Sequence, residues 1–186
     1  MSNIAMQGGA TGSGTVSLVA PSTSTNRTLT LPDATGTVLT SATTTGFPAG
    51  SVLQVVNATY ATAVTNATVT YADTGLTASI TPTSATSKIL VIVSQNGVYK
   101  STSDTSANLK LVKNSTDLSV FCRYGAASGS TAFIGAASAS TNYLDTPATT
   151  SATTYKTQIA SDSGTSLVGC QVGSAVSTIT LMEIAA

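Results

Sequence analysis

Carboxylates are the side chains of this chain that could do acid–base chemistry, because the sequence contains no histidine. Acid catalysis needs two carboxylates that converge in one cleft. Three aspartates occupy turn-like contexts, in which Asp commonly bonds the backbone; these are Asp33, Asp73 and Asp117. Three others lie in Ser/Thr-rich loops, where a solvated surface residue is expected: Asp104, Asp145 and Asp162. We therefore predict no catalytic residue and a protein that is not an enzyme.

Metal and phosphate chemistry have equally little support in the sequence. Without His, most zinc sites and the Ser-His-Asp triad are excluded, and no Asp-x-Asp-x-Asp calcium loop occurs. The glycine-rich stretch Gly8 to Gly14 lacks the Lys that a P-loop requires, since the first Lys is Lys88. The dinucleotide fingerprint fails because Ser17 stands at the position of its third Gly. We predict no cofactor and no metal site.

The two cysteines, Cys122 and Cys170, are too few for a disulfide framework. We interpret them as small buried apolar residues in a reducing compartment. A disulfide would require Cα atoms within about 7 Å, and the sequence leaves that open.

Tyrosine is the residue best suited to contact a partner surface or a glycan, because its ring is apolar while its hydroxyl can stay hydrated. Four tyrosines fall at strand ends or in loops: Tyr99, Tyr124, Tyr143 and Tyr155. The first three are the candidate receptor contacts, which would stack on the sugars of a cell-surface glycan. The alternative is that these rings pack at the rims of the sheets or between subunits.

The composition is that of a β-rich, nearly uncharged protein. Of 186 residues, 36 are Thr and 26 are Ser, only 8% are charged, and the seven cationic side chains balance seven anionic ones. A hydrophobic content of 41% argues against disorder, which needs low hydrophobicity and high charge. Zero net charge predicts no binding to nucleic acid. It also makes a monomer hard to keep soluble, which favours an assembly that covers the surface.

No targeting segment or membrane span is visible in the sequence. The first nine residues contain no basic region and no apolar core, and the longest wholly aliphatic run is Ile89 to Val93. We expect synthesis in a cytosol, no membrane insertion, and any export by a route other than secretion.

Residues 1–45 are predicted to form an extended arm. Residues 1–13 carry no apolar period, and short alternating pieces follow at 15–19, 27–31 and 37–39 between Pro and Gly breaks. Each piece has too few apolar side chains for a core of its own, so the arm should add strands to a partner. The candidate anchoring residues are Val16, Leu18, Leu29, Leu31 and Val38.

Residues 46–186 are predicted to form one antiparallel β-sandwich without helices. Period-two alternation predicts strands at 51–57, 64–71, 76–80, 88–94, 107–113, 118–123, 131–139, 154–160, 167–172 and 178–184. Turns are expected at 73–75 and 114–117, and a loop at 82–87. The stretch 88–94 is apolar on both faces, so this strand should be central.

Two stretches resemble segments of bacteriophage virion proteins. Residues 14–21 (GTVSLVAP) and 26–38 (NRTLTLPDATGTV) look like a segment of tail-fibre and virion-surface proteins. Residues 50–55 (GSVLQV), 73–82 (DTGLTASITP) and 87–91 (SKILV) resemble a globular domain common in phages of aquatic bacteria. Together the likeness spans about residues 14–95, and the remainder matches only in its β character.

The resemblance implies a virion structural protein with an N-terminal attachment arm and a trimeric jelly-roll head similar to the tumour-necrosis-factor and C1q type. Its location would be the virion surface, and its partners would be two further copies and a capsid or tail protein. In such a trimer we expect apolar strands to meet at the axis; the candidates are Ile89, Val91, Val93, Ile179, Leu181 and Ile184. The chain is too short for a shaft, which favours a decoration protein or a short fibre.

Two other functions stay open on the sequence alone. The first is a host-receptor or glycan-binding tip of a tail fibre. The second is a depolymerase, which would need the clustered carboxylates that this chain hardly has. The sequence does not decide between head and tail of the particle.

Overall fold

The computed structural model describes residues 11, 24–26, 47–102, 105–125 and 137–186. The chain divides into two units, Met1–Thr37 and Val38–Ala186, and nearly all the described residues belong to the second. Apart from residues 11 and 24–26, the predicted arm lies outside the described residues, and so do all its candidate anchoring residues: Val16, Leu18, Leu29, Leu31 and Val38.

The described part of the second unit consists of antiparallel β-strands and contains no α-helix. The strands are β1 (Val52–Tyr60), β2 (Val64–Asn66), β3 (Ala72–Ile80), β4 (Lys88–Lys100), β5 (Ser106–Lys113), β6 (Thr116–Gly125), β7 (Ala137–Asp145), β8 (Thr153–Ser161), β9 (Val168–Cys170) and β10 (Ser177–Ile184). A 3₁₀ turn, Val172–Ser174, separates β9 from β10. The all-β prediction is confirmed for these residues.

The strands form two sheets. The larger sheet has the order β1-β10-β4-β9-β2, and β7 also pairs with β4, on the side opposite β10. The smaller sheet has the order β3-β8-β5-β6. β4 is therefore central, as its two-sided apolar pattern predicts, because it pairs with both β10 and β7. β1 and β3 lie at the edges of their sheets.

One hydrophobic core lies between the two sheets. The smaller sheet supplies Leu76, Ala78, Ile80, Leu111 and Tyr155, and the larger supplies Ile89, Val91, Val93, Ile179 and Leu181. Strict alternation builds this core: along β10 every second residue is buried, as the period-two geometry of a strand dictates. A second cluster forms where β9 meets the smaller sheet, and its members include Val98, Leu109, Ile159 and Cys170.

Three sequence-predicted elements differ from the structure. The expected turn at 73–75 lies inside β3 and is a bulge: Asp73 pairs with Gln158 and Thr77 pairs with Lys156, so three residues of β3 pass a single residue of β8. Gly75 makes the bulge possible through its φ of +83°. The residue types at 73–75 correctly indicate an irregular backbone, but the irregularity is a bulge within β3 and not a turn between strands.

The other two differences concern strand boundaries. The strand expected over 64–71 ends at Asn66, because the Asn66 side chain accepts a hydrogen bond of 2.8 Å from the Thr68 backbone N–H and turns the chain. The strand expected over 131–139 begins at Ala137 and continues to Asp145; residues 131–136 lie outside the described ranges. Pairing with β4 extends it through polar residues that a hydrophobic pattern cannot detect.

Candidate functional site

The outer face of the larger sheet carries a row of apolar side chains across four strands. Val55 of β1 pairs with Met182 of β10, Met182 with Leu90 of β4, and Leu90 with Leu144 of β7. Directly paired residues of antiparallel strands point to the same side. The row, together with its neighbours Val52, Ile92 and Ile184, is called the apolar face below.

The apolar face is well exposed and almost uncharged. Val55 is 55% exposed and Leu144 54% exposed. The next row is Asn57, Thr180, Ile92 and Asn142, and the one after it is Thr59, Thr178, Ser94 and Ser140. Among the outward positions of these four strands only Lys88, at the margin, carries a charge.

The outer face of the smaller sheet is ionic. It bears three of the four ion pairs found among the described residues: Lys156–Asp73 at 2.8 Å, Lys110–Asp117 at 2.7 Å and Arg123–Asp162 at 2.9 Å. Lys110 also lies over the ring of Tyr71, with Nζ 4.2 Å from the centroid. The two outer faces of the domain thus differ sharply in chemistry, and this surface is called the ionic face.

A groove of about 260 Å³ opens on the ionic face beside the bulge of β3. Asp73, Gly75, Leu76 and Thr77 line it from β3, and Thr154 and Lys156 line it from β8. A side chain at Gly75 would collide with the ring of Tyr60, so the backbone must be bare at this point.

The Asp73 carboxylate is the fixed polar group of this groove. Its Oδ2 accepts a hydrogen bond from Lys156 Nζ at 2.8 Å, and its Oδ1 accepts one from Gln158 Nε2 at 2.6 Å. Partial burial by itself raises the pKa of Asp73, but the hydrogen bonds from Lys156 and Gln158 outweigh burial and hold the pKa below its usual value.

Glu183 is a fully buried carboxylate that joins β10 to the β3–β4 loop. Its Oε1 accepts hydrogen bonds of 2.7 Å from the backbone N–H and the hydroxyl of Thr83, and its Oε2 accepts one of 2.5 Å from Gln54 Nε2. Burial by itself raises the pKa of Glu183, but these hydrogen bonds and the nearby Ser87 lower it overall. With all these donors around it, the group is structural rather than a free acid or base.

Asp145, which the sequence places in a surface loop, is buried at the end of β7 and connects the two sheets. Its carboxylate accepts a hydrogen bond of 2.6 Å from the Tyr155 hydroxyl and forms an ion pair of 3.0 Å with Lys113. Burial, followed by the hydrogen bond to Asp145, raises the pKa of Tyr155, so this phenol stays neutral. The cluster therefore serves packing between the sheets.

An uncharged polar layer crosses the core near the β9 end. Thr157 of β8 donates a hydrogen bond of 2.7 Å to Gln95 of β4, and Gln95 donates one of 3.2 Å to Ser177 of β10. Thr74, at the bulge of β3, bonds the Thr157 hydroxyl, and Gln171 donates to Ser177 at 3.1 Å. All five side chains are buried. This group is called the polar layer.

Five of the six residues proposed from sequence as subunit contacts occupy the core of the single chain. Ile89, Val91, Val93, Ile179 and Leu181 have no exposed surface, because they face the smaller sheet. These five side chains therefore cannot contact a second copy, and the prediction is wrong for them. Their outward-facing neighbours, among them Leu90, Ile92 and Met182, are the residues that a second copy could contact. Ile184 is half-buried on the outer side, at the margin of the apolar face.

The candidate receptor tyrosines lie in strands, and two of them are at strand ends as predicted, since Tyr99 and Tyr124 are the next-to-last residues of β4 and β6. Tyr99, in β4, packs its ring over Gly169 of β9, and Tyr143, in β7, packs against the core. Tyr124 lies in β6, but its side chain is outside the described set. Tyr155 is completely buried. Tyr99 and Tyr143 thus take the alternative role of packing inside or at the rim of the sheets.

The apolar face could have been found in the sequence from the same alternation that built the core. Leu90 and Ile92 are the even-numbered residues of a strand whose odd-numbered residues are equally apolar. Period two separates the two faces, but it does not say which one the second sheet covers. No sequence signal marks the groove, because it arises from a bulge whose residue types predict a turn.

Cys122 and Cys170 form no disulfide. Cys170 is a buried member of the second core cluster, and Cys122 packs against that cluster. Burial, with a smaller contribution from Cys122, raises the pKa of Cys170 to about 12. In the described ranges no three His, Cys, Asp or Glu side chains converge as a metal site. No helix among those residues is long and apolar enough to cross a membrane.

No family model matches the chain, and no curated protein matches it.

Proposed function

We propose that the chain is a non-enzymatic structural component of a phage particle, in which three copies associate through the apolar face. The observation that carries the proposal is the difference between the two outer faces of the domain. An antiparallel sheet that meets water normally has polar outward positions, and the ionic face follows that pattern. The larger sheet keeps polar residues in most positions of its two other outward rows but departs from the pattern in the row of Val55, Met182, Leu90 and Leu144. Val55, Leu144 and the neighbouring Ile92 are nevertheless exposed.

A contiguous exposed apolar surface on a soluble domain indicates an interaction site. The row Val55, Met182, Leu90 and Leu144 crosses four strands, which at about 4.8 Å per strand spacing is roughly 14 Å. A second copy is the occupant that fits this surface. Two such faces carry almost no charge, so copies do not repel one another as they approach.

The connectivity supports a jelly-roll head of the type that the resemblance implies. Four strands of the larger sheet have the order β1-β10-β4-β7, and the smaller sheet has the order β3-β8-β5-β6. Successive long strands alternate between the sheets except for the hairpin β5–β6. This is the connectivity expected of an eight-stranded jelly roll with two Greek keys.

The place in the particle follows from the resemblance over residues 14–95. Residues 1–45 would attach the chain to a capsid or tail protein, and the heads would be displayed at the virion surface after synthesis in the host cytoplasm. The carboxylates fit a role without catalysis, since Glu183 and Asp145 are saturated by structural partners.

The proposal is tested in two steps. Sedimentation velocity of the purified full chain should give a trimer at micromolar concentration. Quantitative mass spectrometry of purified particles should then find the chain: hundreds of copies indicate a capsid decoration, and a few to a few dozen indicate a tail fibre or tip. A monomer at every concentration contradicts the assembly role, and absence from particles contradicts the virion role.

A further inference from the structure

We infer that the groove on the ionic face binds a neutral monosaccharide unit, with the Asp73 carboxylate as its principal hydrogen-bonding group. This inference goes beyond the proposed assembly role and does not depend on it. The groove lies on the smaller sheet, whereas the apolar face belongs to the larger sheet.

The shape of the groove comes from the bulge. Between the pairs Asp73–Gln158 and Thr77–Lys156, β3 carries two residues more than β8. The bulge leaves a depression that Asp73, Gly75 and Thr77 line from β3, while the Leu76 side chain points into the core and is only 1% exposed. A bulge gives up ladder hydrogen bonds, and proteins place bulges next to binding sites where a side chain must be re-aimed.

The polar groups that converge on the depression fit vicinal hydroxyls. A carboxylate accepts hydrogen bonds through four lone-pair positions, and the two hydrogen bonds from Lys156 and Gln158 leave positions for ligand hydroxyls. The side chain of Asp73 is 52% exposed while these two donors hold it in place. Lys156 can donate further hydrogen bonds, because its ammonium has three N–H groups.

Charge and size narrow the class of ligand. Asp73 and Lys156 neutralise each other at 2.8 Å, so the groove favours a neutral ligand over a free anion or cation. A volume of about 260 Å³ lies just below the range of sites for drug-sized molecules, which suits one sugar ring.

The test uses the full chain and three separate probes: galactose, mannose and N-acetylglucosamine. Saturation-transfer difference NMR should show saturable binding of at least one of them, with a Kd of about 1 mM, since one shallow groove offers few contacts. The absence of saturable binding by all three sugars would overturn the inference.

Two variants test whether the sugar binds in the groove. Asp73→Asn should weaken the sugar about tenfold or more, because hydrogen bonds to a charged acceptor are the strong ones. Asp162→Asn is the matched control: Asp162 is also about half exposed and also pairs with a cation on the ionic face, but it does not line the groove. It should bind the sugar with unchanged affinity.

Unchanged affinity in Asp73→Asn, or an equal loss in the control, would contradict the assignment. If Asp73→Asn does not fold, Lys156→Met is measured in its place with the same expectation. Sedimentation velocity on the same samples separates the two proposals. A wild-type chain that is monomeric but binds the sugar contradicts only the assembly role, and a trimeric chain that binds no sugar contradicts only the sugar site.

Discussion

A charge placed on the apolar face should dissociate the assembly. The substitution is Val55→Asp, on the edge strand β1, where the side chain is 55% exposed and pairs with Met182. Full burial of a Val, Leu, Ile or Met side chain stabilises by about 1.5–3 kcal/mol. Because about half of the Val55 side chain is already buried in the single chain, covering the rest contributes about 1 kcal/mol per protomer.

The charge of the aspartate weakens the association more than the loss of the valine methyl groups does. An uncompensated charge taken out of water costs several kcal/mol even after relaxation, and the neighbouring row supplies no cation. We therefore expect a loss of at least about 3 kcal/mol per protomer, which corresponds to a more than hundredfold weaker association.

The matched control is Val120→Asp, the same substitution at a valine that is 57% exposed on β6, a strand of the other sheet. Sedimentation velocity over a concentration series compares both variants with the wild type, and urea unfolding confirms that each domain is folded. Val55→Asp should be monomeric where Val120→Asp and the wild type are trimeric. A trimeric Val55→Asp, or equal dissociation of both variants, would refute the role assigned to the apolar face.

Three further outcomes follow from the structure. The pKa of Glu183 is lowered from 4.5, so its carboxylate stabilises the fold above about pH 4.5 and loses that contribution as pH falls through the lowered pKa. The urea unfolding free energy of Glu183→Gln should therefore vary less with pH in this acid range than that of the wild type. Gly75→Ala should destabilise by about 1–3 kcal/mol, because φ is +83° and the methyl group would meet the ring of Tyr60; in a Tyr60→Ala background, the same Gly75→Ala change should cost less unfolding free energy. Deletion of residues 1–45 should leave the cooperative thermal unfolding of the domain intact and abolish incorporation into particles; a truncated chain that does not fold contradicts the division between arm and head.

Much of the fold was accessible from the sequence because burial imposes a period of two on every strand of the core. The central position of β4, the hairpin of β5 and β6, and the final strand β10 were all predicted from that period and from turn residues. The boundaries of β7 were not, since most of its residues are small or polar and its pairing comes from β4.

The surfaces were less accessible, because they depend on which side of a strand the second sheet covers. Apolarity alone selected Ile89, Val91 and Val93 as subunit contacts, and these residues lie in the core. The outward residues Leu90 and Ile92 have the same chemical character and differ only in direction. Similarly, the Asp73 to Gly75 segment predicts a turn, whereas pairing with β8 on both sides makes it a bulge with a groove beside it.

The polar layer limits how the two sheets can be arranged relative to each other. Aliphatic side chains would tolerate one sheet sliding over the other by a residue pair, because one branched residue packs much as another does. Such a slide would separate Thr157 of the smaller sheet from Gln95 of the larger sheet. The buried amide oxygen of Gln95 would lose its donor, at a cost of about 1–3 kcal/mol. The layer therefore gives the domain a single alignment of its sheets, so every copy would present the same geometry to its neighbours.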